Sequence, residues 1–305
     1  MTNKRQLLYI MSPSYSGSTL LTRLLAAHPD IATVGELKSS EHGNEADYLC
    51  SCGALLRECK FWSEVVRQLE SQNIAFDIYN WETRITSKNL IANRVLRPLV
   101  KGRFLESIRR AAIFCVPPVK QALSTALGKN EAIINVACGL QDGSTFLDES
   151  KDPLRALYFY NSDIWDLRVI SLIRDGRGIV NSDMKHNAKS CTDATNHWKE
   201  KIKEMVRFES YLPAENLLQI RYEDLCNETD LTLQKIEEFA GLPTKLTEAR
   251  QTGVPIQHIL GNEMRLRDMS QIRLDEKWRT ELSESDIEAF EKTGGSLNSE
   301  IGYRG

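Results

Sequence analysis

The sequence predicts a single α/β domain in which a central parallel sheet is flanked by helices. Three observations lead there. Strand-like and helix-like patterns alternate along most of the chain, the signature of a layered sheet with crossover helices. Residues 167–173, LRVISLI, form a nearly continuous apolar run, as expected of a central parallel strand covered on both faces. Residues 12–18, SPSYSGS, form a small-residue polar loop between an apolar run and a helical pattern. No stretch reads as a linker, so residues 1–305 are taken as one domain.

The elements follow in order. Residues 7–11, LLYIM, read as the first strand, and residues 19–27 as a helix ended by Pro29. Residues 31–34 supply a second β-like run. From 41 to about 60 the chain is polar and Cys-rich, and 61–72 and 89–127 carry helical periodicity broken by Pro98 and Pro117–Pro118. Residues 40–135 are therefore expected to be a helical, Cys-rich insertion. Strand-like runs return at 132–137 and 167–173, then at 216–220. Helices are expected from Ile179, over 194–211, over 232–240 before Gly241 and Pro243, and near 284–292.

The 305 residues hold 39 Lys+Arg against 42 Asp+Glu, a formal charge of −3, with 41 % hydrophobic and 27 % charged residues. That is a globular composition. It argues against a partner held by bulk positive charge, such as nucleic acid or an acidic membrane. The N-terminal apolar run is too short for a signal-peptide core, and the longest other run, 111–119, holds two prolines and is far short of a bilayer span. The expectation is a cytoplasmic protein with no membrane span. The seven cysteines, at 50, 52, 59, 115, 138, 191 and 226, do not read as a secreted disulfide framework.

The loop from Ser12 to Thr19 carries the first chemistry. Small residues let consecutive backbone N–H groups point at one anion, and the following helix start adds about half a positive charge. Ser14, Tyr15, Ser16, Gly17, Ser18 and Thr19 are the candidate binding residues, three of them with hydroxyls on the helix side. A nucleotide-hydrolase P-loop would place Lys after Gly17, and Ser18 stands there instead. A plain strand-to-helix turn with an N-capping serine is the bland reading. The second half-site is Arg174, at the end of the 167–173 run, with Ser182 eight residues on. A planar guanidinium and a hydroxyl brought together suit phosphate oxygens. Asp175 could orient Arg177 or cap the next helix.

These segments together resemble the sulfotransferases that use 3′-phosphoadenosine-5′-phosphosulfate (PAPS). The first loop is similar to their 5′-phosphosulfate loop, and Arg174 and Ser182 match their 3′-phosphate residues. Asp148-Glu-Ser-Lys151-Asp-Pro153 resembles the D-S-S-K-x-P stretch of carbohydrate-type and bacterial members. Arg221-Tyr-Glu-Asp-Leu225 with Gly241-Leu-Pro243 resembles their R-Y-E-D-L…G-L-P stretch, and Gly261-Asn262-Glu-Met-Arg265 their G-N-x-x-R tail. The likeness covers most of the chain outside about 60–130. It implies a P-loop-like sulfotransferase fold, PAPS as cosubstrate, no metal for the chemistry, and a hydroxyl acceptor, a small molecule or carbohydrate.

Further roles follow from that resemblance. Glu36 stands where tyrosylprotein and some bacterial members carry an acidic base, although the tyrosylprotein enzymes have two adjacent glutamates and this chain has Glu36 and Leu37. His186 and His42 are alternative bases. Most members have Lys or Arg just before the Ser-Gly pair; Tyr15 stands there and supplies no charge. Lys151 is the expected replacement, ahead of Arg177 and Arg23. Tyr222 is expected near the adenine, and Gly261, Asn262 and Arg265 near the 3′-phosphate.

Cys50, Cys52 and Cys59, before Phe61-Trp62, offer three soft ligands, with His42 as a fourth. Reduced structural thiols are the favoured reading over a metal site or a disulfide. Two other functions stay open: a catalytically weak or inactive nucleotide-binding protein on the same fold, and a P-loop-type kinase of small metabolites. A homodimer is compatible with the sequence.

Overall fold

Alternate residues of the first strand feed two separate cores. In a computed structural model that describes residues 4–38, 47–97, 99, 102–248, 258–261, 266 and 272–303, strand β1 spans Gln6–Met11. Leu7, Tyr9 and Met11 enter one buried cluster, Leu8 and Ile10 the other. A strand with side chains alternating between two covered faces must be apolar on both.

After β1 come helix α1, Ser18–Leu25, and strand β2, Ile31–Gly35. The insertion follows as α2, Lys60–Ser71, α3, Leu90–Leu96, α4, Arg103–Cys115, and α5, Pro117–Leu140. The chain returns to the sheet as β3, Thr145–Lys151, passes α6, Pro153–Ser162, and forms β4, Asp166–Ile173. Then come α7, Gly176–Asn187, α8, Cys191–Glu209, β5, Leu217–Arg221, α9, Tyr222–Asn227, and α10, Thr229–Ala240. Near the C-terminus, Glu284–Phe290 is helical and runs through a wider-wound turn, Glu291–Gly295, into Ser296–Glu300.

The five strands form one parallel sheet in the order β2-β3-β1-β4-β5. Helices α1, α9 and α10 cover one face through Leu21, Leu25, Leu225 and Ile236. The insertion helices, with α6 and α8, cover the other through Trp62, Ile133, Phe159 and Phe208. Pro117 opens α5 without loss, because its first turn has no intrahelical donor to give up.

One expectation is corrected. Residues 132–137 are not a strand; they are the inner end of α5, where Ala132, Ile133, Ile134, Val136 and Ala137 are all buried. A short apolar run inside a protein is equally compatible with a fully buried helix segment. The strand lies instead at Thr145–Lys151, the stretch that carries Asp148, Glu149 and Lys151. No described helix is long and apolar enough to cross a membrane.

Candidate active site

Because all five strands run parallel, their C-terminal ends meet at one edge of the sheet. β1 ends in the Ser12–Gly17 loop, β2 at Glu36, β3 at Lys151, β4 at Arg174 and β5 at Tyr222. α1 connects β1 to β2 on one side, and β4 lies on the other. Ligands of open α/β sheets bind at such a point, outside the carboxyl ends of the strands.

The loop is tightly constrained. Tyr15 and Gly17 both have left-handed backbones, φ 66° and 87°. A Cβ on Gly17 would lie 2.4 Å from Tyr222 Cδ2, so glycine is needed for space as well as conformation. Ser16 is turned inward, its Oγ donating to Pro13 O at 2.8 Å, which closes the loop. Ser12 Oγ is buried with no partner among the described residues, and α1 starts at Gly17 with no side-chain cap. Buried hydroxyls and uncapped helix starts ordinarily find a partner. These groups therefore fit an anion at the loop.

Lys151 reaches the same place through an irregularity in β3. Tyr9 pairs with Asp148 but Met11 with Lys151, so two steps on β1 span three on β3. Lys151 takes φ 66° there. Such a bulge re-aims a side chain at a strand end. Its Nζ lies 2.5 Å from Glu36 Oε1 and 3.2 Å from Glu149 Oε1. Burial pulls the ammonium pKa down, but the charges of Glu149 and Glu36 outweigh it and the net shift is upward. Lys151 is thus held as a cation. Behind it, Asp148 accepts from Leu37 N at 3.2 Å and Ser150 N at 2.9 Å and pairs with buried Arg155 at 3.3 Å. That buried network fixes the end of β3 against the end of β2.

Glu149 has no counterpart among the sequence-based candidates. Its Oε1 accepts from Ser18 Oγ at 3.1 Å and Thr19 Oγ1 at 2.7 Å. A buried carboxylate therefore sits on two of the hydroxyls assigned to an anion. The one sequence signal is a run of charges inside an otherwise sheet-forming stretch.

Arg174 joins the second segment to the first. Nη1 donates to Tyr15 O at 2.8 Å, Nη2 donates to Asp275 O at 2.6 Å, and the guanidinium lies 4.5 Å from the Tyr222 ring centre. It packs on Gly178 in the first turn of α7, where a Cβ would come within 3.0 Å of its Nε. Ser182 lies one turn further and donates to Gly178 O at 3.0 Å. Asp175 both caps α7, accepting from Arg177 N, and pairs with the Arg177 guanidinium at 2.7 Å. Tyr222 is buried between Gly17 and Arg174.

A cleft of about 420 Å³ opens at the β1 loop, lined by Ser12–Tyr15, Gly17–Thr19, Glu36 and Lys151 among others but not by Arg174, Ser182 or Tyr222. It also takes in Asp183 and His197, which the sequence reading missed. Asp183 Oδ2 lies 3.1 Å from His197 Nδ1. Burial pushes the Asp183 carboxyl up, but hydrogen bonds from Asn187, Lys189 and His197 outweigh it and hold it below the ordinary value. His186 does not line the cleft; it is exposed and stacks on the Tyr15 ring at 5.3 Å, while Tyr15 OH accepts from Asn187 Nδ2.

Gly261 is placed away from Arg174. Leu260 bridges Gly35 on the open edge of β2, with its N donating to Val34 O at 3.0 Å. This sets Gly261 beside Glu36, 3.5 Å from its Cγ to the position of a Cβ, three strands from β4. Asn262, Arg265 and His42 lie outside the described residues.

Residues 165–246 match the model of the sulfotransferase family. The segment spans β4, with Arg174, through α10. No curated protein matches the chain. Among solved structures, the sulfotransferase domain from the curacin biosynthetic pathway is similar at a TM-score of 0.50, with 18 % identity and 98 % of each chain covered. The sulfotransferase STF9 from Mycobacterium avium is similar at a TM-score of 0.51 and 13 % identity, covering 100 % of this chain and 78 % of that one. The fold is the sulfotransferase fold, and the segment around Arg174 carries the sequence pattern of that family.

Proposed function

We propose that this protein is a sulfotransferase that moves the sulfuryl group of PAPS to a hydroxyl acceptor and releases adenosine 3′,5′-bisphosphate. The observation that carries this reading is the convergence of the β1 loop and the Lys151–Glu36 pair on one cleft. Sulfuryl transfer, like phosphoryl transfer, asks for positioning and charge stabilisation more than covalent help. The backbone of the loop, the start of α1 and the Ser12 hydroxyl bind the 5′-phosphosulfate. Arg174 and Ser182 hold the 3′-phosphate, with Tyr222 bracing the base of the loop. Lys151 supplies the cation that Tyr15 does not.

In the reaction the acceptor oxygen forms a bond to sulfur as the sulfur–oxygen bond to the phosphate breaks. The acceptor proton passes to the Glu36 carboxylate. Charge on the departing phosphate is met by Lys151. A second cavity of about 370 Å³ shares Lys38, Arg84, Asp152 and Lys201 with the cleft and is walled by Arg97 and Tyr158. Its polar lining supports a hydroxyl-bearing small molecule or carbohydrate as acceptor.

The test is incubation with PAPS and mixed acceptors, following adenosine 3′,5′-bisphosphate and a mass gain of one sulfate. Both are expected together. Binding of the bisphosphate with no transfer to any acceptor favours the second reading, a catalytically silent nucleotide-binding protein. Tyr15, an uncharged residue where most members of the resembled family carry a cation, is the observation that favours it.

A further inference from the structure

Three cysteines and a histidine far apart in sequence come together at the rim of the insertion. The ligand atoms of Cys50, Cys52, Cys59 and His258 all lie within 4.8 Å of one another. His258 Nδ1 lies 3.3 Å from Cys59 Sγ and 3.7 Å from Cys50 Sγ, and Cys52 Sγ lies 3.7 Å from Cys59 Sγ. A tetrahedral zinc with bonds of about 2.3 Å to sulfur and about 2.0–2.1 Å to nitrogen sets S···S near ~3.8 Å and S···N near ~3.6 Å. These three distances already stand close to those edges.

The local backbone is built to bring them there. Cys50 N donates to Ala54 O and Gly53 N to Cys50 O, both at 2.9 Å, so residues 50–54 form a tight turn. Gly53 takes φ 87°, which glycine adopts without strain. Cys59 and Cys50 are fully buried, and the Phe61 ring stacks on the His258 imidazole at 4.6 Å and 5°. All seven cysteines are described, and none is in a disulfide. A set of three thiolates and one imidazole with no carboxylate selects a soft, tetrahedral ion.

We infer that Cys50, Cys52, Cys59 and His258 form a structural zinc site that ties the segment at 258–261 to the turn at 47–59. Four protein ligands leave no open position, so the ion is structural. Zinc enters as the three thiols lose their protons to solvent and the imidazole binds through Nδ1, leaving a site of net charge −1. The clamp acts on the cleft. Ile259 N donates to Ser51 Oγ at 2.8 Å, Gly261 N to Tyr48 OH at 2.9 Å, and Leu260 N to Val34 O at 3.0 Å. Gly261 then forms the wall beside Glu36. The fourth ligand is therefore His258, more than 190 residues from Cys59 in sequence. This inference stands on the cluster alone and does not depend on the transfer reaction.

The test is metal analysis of the full chain purified under reducing conditions, before and after incubation with zinc. One zinc per chain is expected. Replacing zinc with cobalt should give the thiolate-to-metal charge-transfer band and intense visible bands of a tetrahedral thiolate site. Losing an outer-shell partner alone costs about 10–100-fold in metal affinity, so H258A should weaken zinc by at least that in chelator competition. H258C should retain one zinc, which separates ligand loss from misfolding, and C115S, at an exposed remote cysteine, should be unchanged. A chain that stays metal-free after incubation with zinc, an H258A variant with unaltered affinity, or a Cys52–Cys59 disulfide in the freshly reduced protein overturns the assignment.

Discussion

Lys151 Nζ and Glu36 Oε1 lie 2.5 Å apart, joining the ends of β3 and β2 at the mouth of the cleft. The pair places a fixed cation and a carboxylate side by side, the two groups that the proposed transfer uses. Removing a single group that stabilises developing charge typically costs about 10²–10³ in kcat. K151A should therefore lose at least about 10²-fold in turnover, a larger factor than its loss of affinity for adenosine 3′,5′-bisphosphate. E36Q should lose turnover to a similar extent while retaining donor binding, and H197A should stay within about tenfold of wild type. A collapse in H197A with normal turnover in E36Q would move the base to the Asp183–His197 pair.

Gly17 answers to two constraints, its φ of 87° and the Tyr222 ring. A left-handed conformation costs a non-glycine residue about 1–2 kcal/mol, and the added Cβ must also displace Tyr222. G17A should weaken bisphosphate binding by at least about tenfold, since 1.4 kcal/mol is a factor of ten. Adding Y222A removes the clash but not the backbone strain, so the double variant should remain weaker than Y222A alone. Calorimetric titration of the three variants checks this.

Glu149 places a negative charge on the hydroxyls of Ser18 and Thr19. An incoming phosphosulfate meets that charge, and removing a unit charge at ~8 Å in a medium of effective dielectric ~20 is worth roughly 2 kcal/mol before screening. E149Q should therefore tighten bisphosphate binding by about tenfold. Weaker binding in E149Q would mean that Glu149 serves chiefly to hold the loop and Lys151 in place.

Asp152 links the site to stability. Its side chain caps α6, accepting from Leu154 N at 3.0 Å, and pairs with Lys38 at 2.6 Å. Burial raises its pKa, but Lys38, Lys201 and the Arg155 backbone N–H together outweigh burial and the folded value lies below the ordinary one. A depressed carboxyl contributes stability above the unfolded pKa of about 3.9 and loses it as pH falls through the folded value. D152N keeps a cap and loses the pair, so it should cost up to about 1 kcal/mol at neutral pH and nothing below the folded pKa. D152A also loses the cap and should cost about 1–2 kcal/mol more at neutral pH. Urea unfolding across pH measures both.

The residues reveal the fold unevenly. The strand at 167–173 and the helix beginning near 60 are plain because apolar spacing matches their burial. β3 was hidden because Asp148, Glu149 and Lys151 break the apolar pattern exactly where the sheet meets the cleft. Charges in a buried strand violate local rules, as functional sites do. Lys151, Glu36 and Arg174 were legible as motif positions. Glu149 on Ser18, Asp183 with His197 and His258 with the cysteines were not, because each contact joins segments that only the folded topology brings together.

Arg174 on Tyr15 O joins the β1 loop to the end of β4, the two halves of the proposed nucleotide site. The most direct measurement is a titration of the full chain with adenosine 3′,5′-bisphosphate, beside R174A and R174K. A planar fork bound to two carbonyls and stacked on Tyr222 is not reproduced by an ammonium. Saturable one-to-one binding is predicted for the wild type, weakened at least about tenfold in both variants. Absence of binding in the wild type, or equal affinity in all three proteins, would rule out a nucleotide site at this junction.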